Sequence, residues 1–406
     1  MIDAGSDLLL HEACRNCGGQ LTEFFHYDTV PIAGTYLTES DLGKEPLFPL
    51  TATSCRKCGL TQLRETIGNS IYSTYRFVGT GSATYRAYLD QLAKSLTSEW
   101  DVRDKRVLEI GCSDGYLLKQ LREKGSNQVF GYEPSSQLQQ VCLGNGIPVS
   151  GAFFSPDSVT HCPILPVDIV IIRHVLEHID DLHVFLNAVS SVLTETGLLI
   201  IEVPDVEAVF ARGLYFHFYH EHLSYFSLAT LQKLLSHHGF RIIWHRTVKI
   251  HGGSLYVICK RYHGIDSSHP LGSKAANDLE RVCTAFATHM QSYLDAAHRF
   301  VNEQCASGIC LAGYGAAHRT TIACSLAKVT PEHIRYLVDK NSYLHGFYIP
   351  GAHLPIYSPD KIHQDLPDAI IIFATSFEEE IIREQQAFRE AGGRFITLFP
   401  EVRYLS

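Results

Sequence analysis

The chain has 406 residues, 45% of them hydrophobic, and a formal net charge of −9 with its 22 histidines neutral. That length suits two or three domains with packed cores. It lacks the clustered Lys and Arg that binding a nucleic-acid backbone requires, and no run approaches the roughly 18 apolar residues of a membrane span. The first seven residues are polar and acidic, unlike a signal peptide, and twelve cysteines without a secretion signal read as reduced thiols of a cytoplasmic protein.

Two Cys-x-x-Cys knuckles, Cys14/Cys17 and Cys55/Cys58, come first. Each offers two thiolates, and together they make one tetrahedral zinc site. Four buried thiols or a redox pair is the plainer alternative. A site closed by four protein ligands has no place for a reacting water, so it is expected to be structural. The connecting segment 71–100 carries Tyr72, Tyr75 and a turn with Thr80 and Ser82. Its tyrosines read as packing, as a lid over a pocket, or as both. An amphipathic helix is expected over 85–99.

The stretch Val107-Leu-Glu-Ile-Gly-Cys-Ser-Asp-Gly-Tyr-Leu117 reads as strand, turn and helix. A second strand follows and ends on Gly131-Tyr-Glu-Pro-Ser135. An acid at the end of the second strand of a βαβ unit grips a ribose through its hydroxyls. The turn lacks the Gly-x-Gly-x-x-Gly spacing that seats a diphosphate, and Asp114 makes it acidic. It would repel a diphosphate and accept a cationic nucleoside such as S-adenosylmethionine (SAM). The predicted donor site is Glu109, Gly111, Ser113, Asp114, Gly115, Glu133, Pro134 and Ser135, with His174 beyond the third strand.

Residues 168–173 and 197–204 are continuous apolar strands of the buried parallel kind. Ligands gather at the carboxyl ends of such strands, which brings His174, His178 and 202–205 towards the donor turn. Phe153 and Phe154 could cover an adenine or simply fill the core. Residues 215–227 hold three His, one Glu and three Tyr. His220, Glu221 and His222 are too closely spaced for one metal on a helix. A neutral histidine there suits removal of a proton from carbon beside a carbonyl. A helix capped by Ser227 and stopped at Gly239 should follow, then His251-Gly-Gly-Ser254 and a last strand. Past a polar stretch at 261–273, a long helix is expected over 275–303. A second Rossmann-like unit opens with the 313–321 turn, which could hold a phosphate beside Arg319; its second strand ends on Asp339, and a helix is expected over 378–391.

These motifs resemble the sugar C-methyltransferases that modify nucleotide-linked deoxysugars at C-3. The resemblance spans nearly the whole chain and rests most on Tyr-His-Glu-His-Leu-Ser-Tyr-Phe-Ser at 219–227. It implies a three-part α/β monomer: a four-cysteine zinc domain (1–70), a Rossmann-like SAM domain (71–258) and a Rossmann-like nucleotide-sugar domain (259–406). The implied substrate is a dTDP-linked 4-keto deoxysugar. The implied base is His222, with Tyr219 and Glu221 beside it, His178 near the sugar and His174 as second choice, and Tyr75 from the connecting segment. The chain has Cys112-Ser113 where the family more often has Ser-Asn, Phe77 in place of a second tyrosine, and Ala317-His318-Arg319 where a lysine-containing turn is usual. The alternatives are a methyltransferase acting on oxygen or nitrogen, which needs no carbon-acid base, and a non-catalytic zinc and nucleotide sensor, which would not bind SAM productively.

Overall fold

The computed structural model describes residues 8–68, 79–126, 128–264, 270–399 and 401–405. Its central sheet has seven strands, in the order Phe240–Val248, Ser254–Arg261, Leu193–Pro204, Val167–Arg173, Arg106–Ile110, Gln128–Tyr132 and Val149–Ser150. The last five run parallel, and the first two form an antiparallel edge. Val167–Arg173 is apolar without alternation because helices cover both faces of the sheet there. Phe240–Val248, at the edge, instead alternates half-buried and exposed positions between two buried ends.

The helix Ala83–Glu99 is capped by Ser82, whose Oγ accepts the Tyr85 N–H at 3.2 Å. Ser227 caps Leu228–His237 as its sequence predicts, and Gly239 stops it at φ 71°. The long helix runs over Ser273–Ala306. The helix expected over 378–391 is instead two short ones, Glu378–Glu384 and Gln386–Glu390, because Gln385 departs to φ −98°, ψ 28° between them.

The third sheet orders Ile356–Tyr357, Leu337–Val338, Leu311–Tyr314, Ala369–Ile372, Arg394–Thr397 and Arg403–Leu405, all parallel but the last. The two Rossmann-like units share a device. Asp339, past Leu337–Val338, accepts the N–H groups of Ala316 and Asn341 at 2.8 Å each. Glu133, past Gln128–Tyr132, accepts those of Ser113 and Ser135 at 3.0 and 2.9 Å. In both units a carboxylate at the end of the second strand clamps the first turn.

The cysteine-bearing module forms a sheet of Leu21–Pro31, Leu47–Cys55 and Thr61–Leu63. Its outer strand, Ser224–Tyr225, comes from far down the chain and pairs antiparallel with Thr61 and Gln62. The apolar core is likewise shared. Phe25, Leu50 and Leu63 of the module pack in one cluster with Phe218 and Tyr225, with Met290 and Leu294 of the long helix, and with Ile322 and Leu337 of the third unit. Phe218, fully buried, meets Phe25 edge-on at 5.1 Å between ring centroids. A small module with too little core of its own is thus held by its neighbours, and truncating a ring at this junction costs about 3–5 kcal/mol.

Candidate active site

A cavity of about 540 Å³ opens at the carboxyl ends of the four central parallel strands. Its donor end is the turn predicted from sequence. Gly111 (φ 72°) and Gly115 (φ 73°) adopt the left-handed conformation that lets the chain reverse twice. Asp114 Oδ1 accepts the Tyr116 N–H at 3.1 Å and Oδ2 accepts the Thr80 hydroxyl, tying the connecting segment to the turn. Glu133 and Pro134 line the cavity, while Ser135 is buried behind them and Gly115 packs below. Burial pushes the Glu133 carboxyl up to about 7, against the pull of its two N–H donors.

Beneath this end lies a buried charge network. Arg173 Nε bonds Glu202 Oε2 at 2.8 Å, Arg173 Nη2 donates to the Tyr85 hydroxyl at 2.9 Å, and Glu109 Oε1 stands 3.8 Å from Nη1. Burial lifts Glu109 to about 8, so it enters the network largely protonated at pH 7. Glu202 goes the other way: burial would raise it, but Arg173 and His174 hold it far below the usual carboxylate range. His174 (φ 52°) sits 3.4 Å from both Glu177 and Glu202. Burial disfavours its charge, yet the two carboxylates lift it to about 9, which makes it an imidazolium at pH 7. Asp205 is turned away and caps the helix Val206–Ala211 through the Glu207 N–H at 3.0 Å.

The opposite wall comes from the histidine-rich string. Tyr219 Oη lies 2.6 Å from His222 Nε2, and both residues are buried. Burial, with His178 next, holds His222 well below the ordinary imidazole range, so the ring is neutral at pH 7. Its Nδ1 is buried with no hydrogen-bond partner among the described residues. The half-buried His178 packs 5.0 Å from His222, centroid to centroid. His178 Nδ1 faces the Glu221 carbonyl, which can only accept, so Nδ1 carries the hydrogen and Nε2 the lone pair. Glu177, His178 and His222 bring their ligand-type atoms within 4.8 Å of one another. His220 points elsewhere, its Nε2 donating to the Pro49 carbonyl at 3.0 Å. Glu221 lies just behind the cavity wall, where burial raises it to about 7. Tyr75, Tyr72 and Phe77 lie outside the described residues.

Sequence reasoning did not foresee how far the third unit enters. His318 stacks on Tyr219 at 5.9 Å, and Arg319 reaches His217 Nε2 and His251 Nδ1 at 3.3 Å each. The 313–321 turn does not present all its N–H groups for a phosphate, because Asp339 takes that of Ala316. Phe154 is core, packed edge-on against Tyr132 at 5.2 Å, whereas Phe153 is 43% exposed on the cavity rim.

Away from the cavity, Cys14, Cys17, Cys55 and Cys58 converge. The Cys14–Cys58 and Cys17–Cys55 sulfurs are each 3.5 Å apart, and all four lie within 4.8 Å of one another. Gly19 is small because a Cβ there would come within 3.0 Å of the Cys55 sulfur.

Residues 249–400 match the family described as C-methyltransferase C-terminal domain, and residues 82–245 match the Methyltransferase domain family. Residues 14–71 match "Putative zinc binding domain". The chain is similar to C-methyltransferase NovU of Streptomyces niveus, with 29% identity over 408 residues that take in 97% of each chain. The three matches and this relative mark the chain as a SAM-dependent C-methyltransferase. Similarity to the tRNA U34 carboxymethyltransferase of Idiomarina loihiensis, 32% over 113 residues, is confined to 26% of this chain and 35% of that one. Among solved structures, the magnesium protoporphyrin IX methyltransferase ChlM from Synechocystis PCC 6803 with bound SAM is 17% identical, over 45% of this chain and 80% of that one, with a TM-score of 0.34.

As a SAM-dependent C-methyltransferase, the protein needs a pocket for a cationic nucleoside, and the cavity offers one. The acidic turn and the Glu133 carboxylate suit a sulfonium and a ribose, and they would repel a diphosphate. Zinc fits the four sulfurs of the C-methyltransferase equally well. Tetrahedral Zn–S bonds of about 2.3 Å place sulfurs about 3.8 Å apart, inside the observed range. Among the described residues, no helix is long and apolar enough to cross a membrane.

Proposed function

We propose that this C-methyltransferase methylates C-3 of a dTDP-linked 4-keto deoxysugar, with His222 as the base. The observation that carries the reading is the buried Tyr219–His222 pair, 2.6 Å apart, lining the same cavity as the donor turn. A neutral ring is the form that accepts a proton, and burial keeps His222 neutral. The 4-keto group acidifies the neighbouring C-3–H. His222 takes that proton, and the electron pair is delocalised onto the keto oxygen as an enolate. Bound SAM supplies an electrophilic methyl group for the enolate carbon. Tyr219 holds the His222 ring, and His178 and Glu221 set the polarity around it. Positioned acid–base groups of this kind contribute about 10²–10⁴-fold.

Support for an anionic carrier comes from the third unit. Arg319 brings a guanidinium to the cavity edge, between His217 and His251. On this reading the protein divides into a zinc module (1–70), a donor domain (71–258) and a nucleotide-sugar domain (259–406). The donor contacts are Glu109, Gly111, Ser113, Asp114, Glu133, Pro134 and His174, with Gly115 and Ser135 supporting them from behind, and the resemblance assigns Tyr75, outside the described residues, to the transfer site.

The test is exchange of deuterium from C-3 of a dTDP-4-keto-deoxysugar in the presence of the protein. Wild type should wash the label out, and His222→Ala should stop exchange while still binding SAM. Absence of exchange by SAM-competent wild type would falsify the substrate or the carbon-acid step. Turnover that survives His222→Ala on another acceptor would point to oxygen or nitrogen methylation.

A further inference from the structure

Glu221 is held by a part of the chain that the transfer chemistry does not call on. Residues 32–36 leave the strand Leu21–Pro31 and pass between the histidine-rich string and the third unit's turn. The Gly34 N–H donates to Glu221 Oε1 at 2.7 Å, and the Ala33 backbone bonds the same carboxylate. Consecutive backbone N–H groups of this kind form an anion-holding nest. The loop is anchored on its far side too. The Tyr36 hydroxyl donates to the Ala316 carbonyl at 2.9 Å, and the Thr321 hydroxyl to the Ala33 carbonyl at 3.4 Å. His318 Nε2 stands 3.9 Å from Glu221 Oε1.

The backbone of Gly34 is not left-handed, so conformation does not demand glycine there. Space does. A Cβ at this position would lie 2.5 Å from His318 Nε2 and 3.0 Å from Glu221 Oε1.

We propose that Gly34 is a positioning residue of the methyl-transfer site. Its N–H fixes the Glu221 carboxylate, and its missing side chain lets His318 close against that carboxylate. The zinc-bearing module is then a working wall of the active centre as well as a clamp. The proposal rests on the reading of Glu221 as part of that centre. The N–H bonds of Gly34 and Ala33 lower a carboxyl that burial has raised, so loosening the Gly34 bond should raise it further.

The experiment compares Gly34→Ala, His318→Ala, the double variant and Glu221→Gln as full-length, zinc-loaded proteins. The Glu221 titration is read by infrared difference spectroscopy against Glu221→Gln, which needs no turnover. C-3 deuterium exchange from a dTDP-4-keto-deoxysugar is measured alongside. Gly34→Ala should keep its zinc and bind SAM within about twofold of wild type, because the donor site is remote. Its Glu221 titration should move to higher pH, and exchange should slow by about tenfold or more, as small misplacements of reacting groups do. In the His318→Ala background the added methyl has room, and the same substitution should cost less than about threefold.

An unmoved Glu221 titration, or an equal loss in both backgrounds, overturns the proposal. If Gly34→Ala does not fold, the double variant decides. Folding with the activity of His318→Ala supports the proposal, and failure to fold overturns it, since space did not relieve the damage. Full exchange by Glu221→Gln would instead remove Glu221 from the centre, however the Gly34 variants behave.

Discussion

Glu133→Gln should remove a pH dependence of stability that wild type owes to burying this carboxyl. The Glu133 side chain is 6% exposed, and its carboxyl is raised from 4.5 to about 7 by burial. The unfolded chain releases this proton near 4.5, but the folded chain keeps it until about 7. Folding stability from this group is therefore lost as pH rises through that window, and the loss is complete above it. At 1.36 kcal/mol per unit the whole effect is about 3 kcal/mol. Glutamine has no such proton. Relative to wild type, its stability in urea denaturation of the SAM-free, zinc-loaded protein should rise by about 3 kcal/mol between about pH 4.5 and about pH 8. Costs that do not titrate, such as an N–H left facing an amide, shift both ends alike and cancel. The same variant should bind SAM roughly 10–100-fold more weakly at about pH 8, since a hydrogen bond to a charged acceptor contributes about 1.5–3 kcal/mol. A stability difference that stays flat with pH would refute the burial argument, and unchanged calorimetric affinity would take Glu133 off the ribose.

Tyr219→Phe should slow C-3 exchange by about tenfold or more while leaving SAM affinity in place, because it removes only the hydroxyl 2.6 Å from His222; equal rates would make the pair a packing contact. His174→Ala removes the imidazolium 3.4 Å from Glu177 and Glu202. It should cost about 3 kcal/mol in denaturant titrations at about pH 6, and the cost should shrink as pH rises through about 9, where the folded protein's imidazolium loses its proton; a loss that does not change with pH would point to packing instead. Cys55→Ser/Cys58→Ser should abolish zinc binding in a colorimetric release assay and lower Tm. C-3 exchange should be lost with it, because the module carries the strand after His222. Full exchange by the zinc-free variant would sever that link.

The parts of this site with local patterns could be read from sequence. The knuckles at Cys14/Cys17 and Cys55/Cys58 announce four ligands by spacing alone, and Glu133 announces itself by ending a second strand. The density of functional groups marked residues 215–227, and the resemblance singled out His222 with Tyr219, but how each histidine is partnered was not local information. His220 and His222 look alike in sequence, yet one bonds the Pro49 carbonyl and the other the Tyr219 hydroxyl. What could not be read depends on distant partners. Arg319 touches His217 and His251 only because the third unit folds over the cavity. Gly34 meets Glu221 across 187 positions, with no motif around Gly34 to announce it. The strand Phe240–Val248 keeps a two-residue alternation but carries Arg and His on its outward face, which hides it among loops.

The pairing of Ser224–Tyr225 with Thr61 and Gln62 also bears on how the protein can be assembled and re-engineered. During synthesis the N-terminal module emerges first, with the edge of Thr61–Leu63 unpaired. That edge is open to other strands until residue 224 arrives to cover it. The covering strand follows directly on the segment that bears His222, so closing the sheet also fixes the chain on which His222 sits. A chimaera that takes the first 70 residues from one C-methyltransferase and the remainder from another would break this joint. Exchanging the module together with residues 215–227 would keep it.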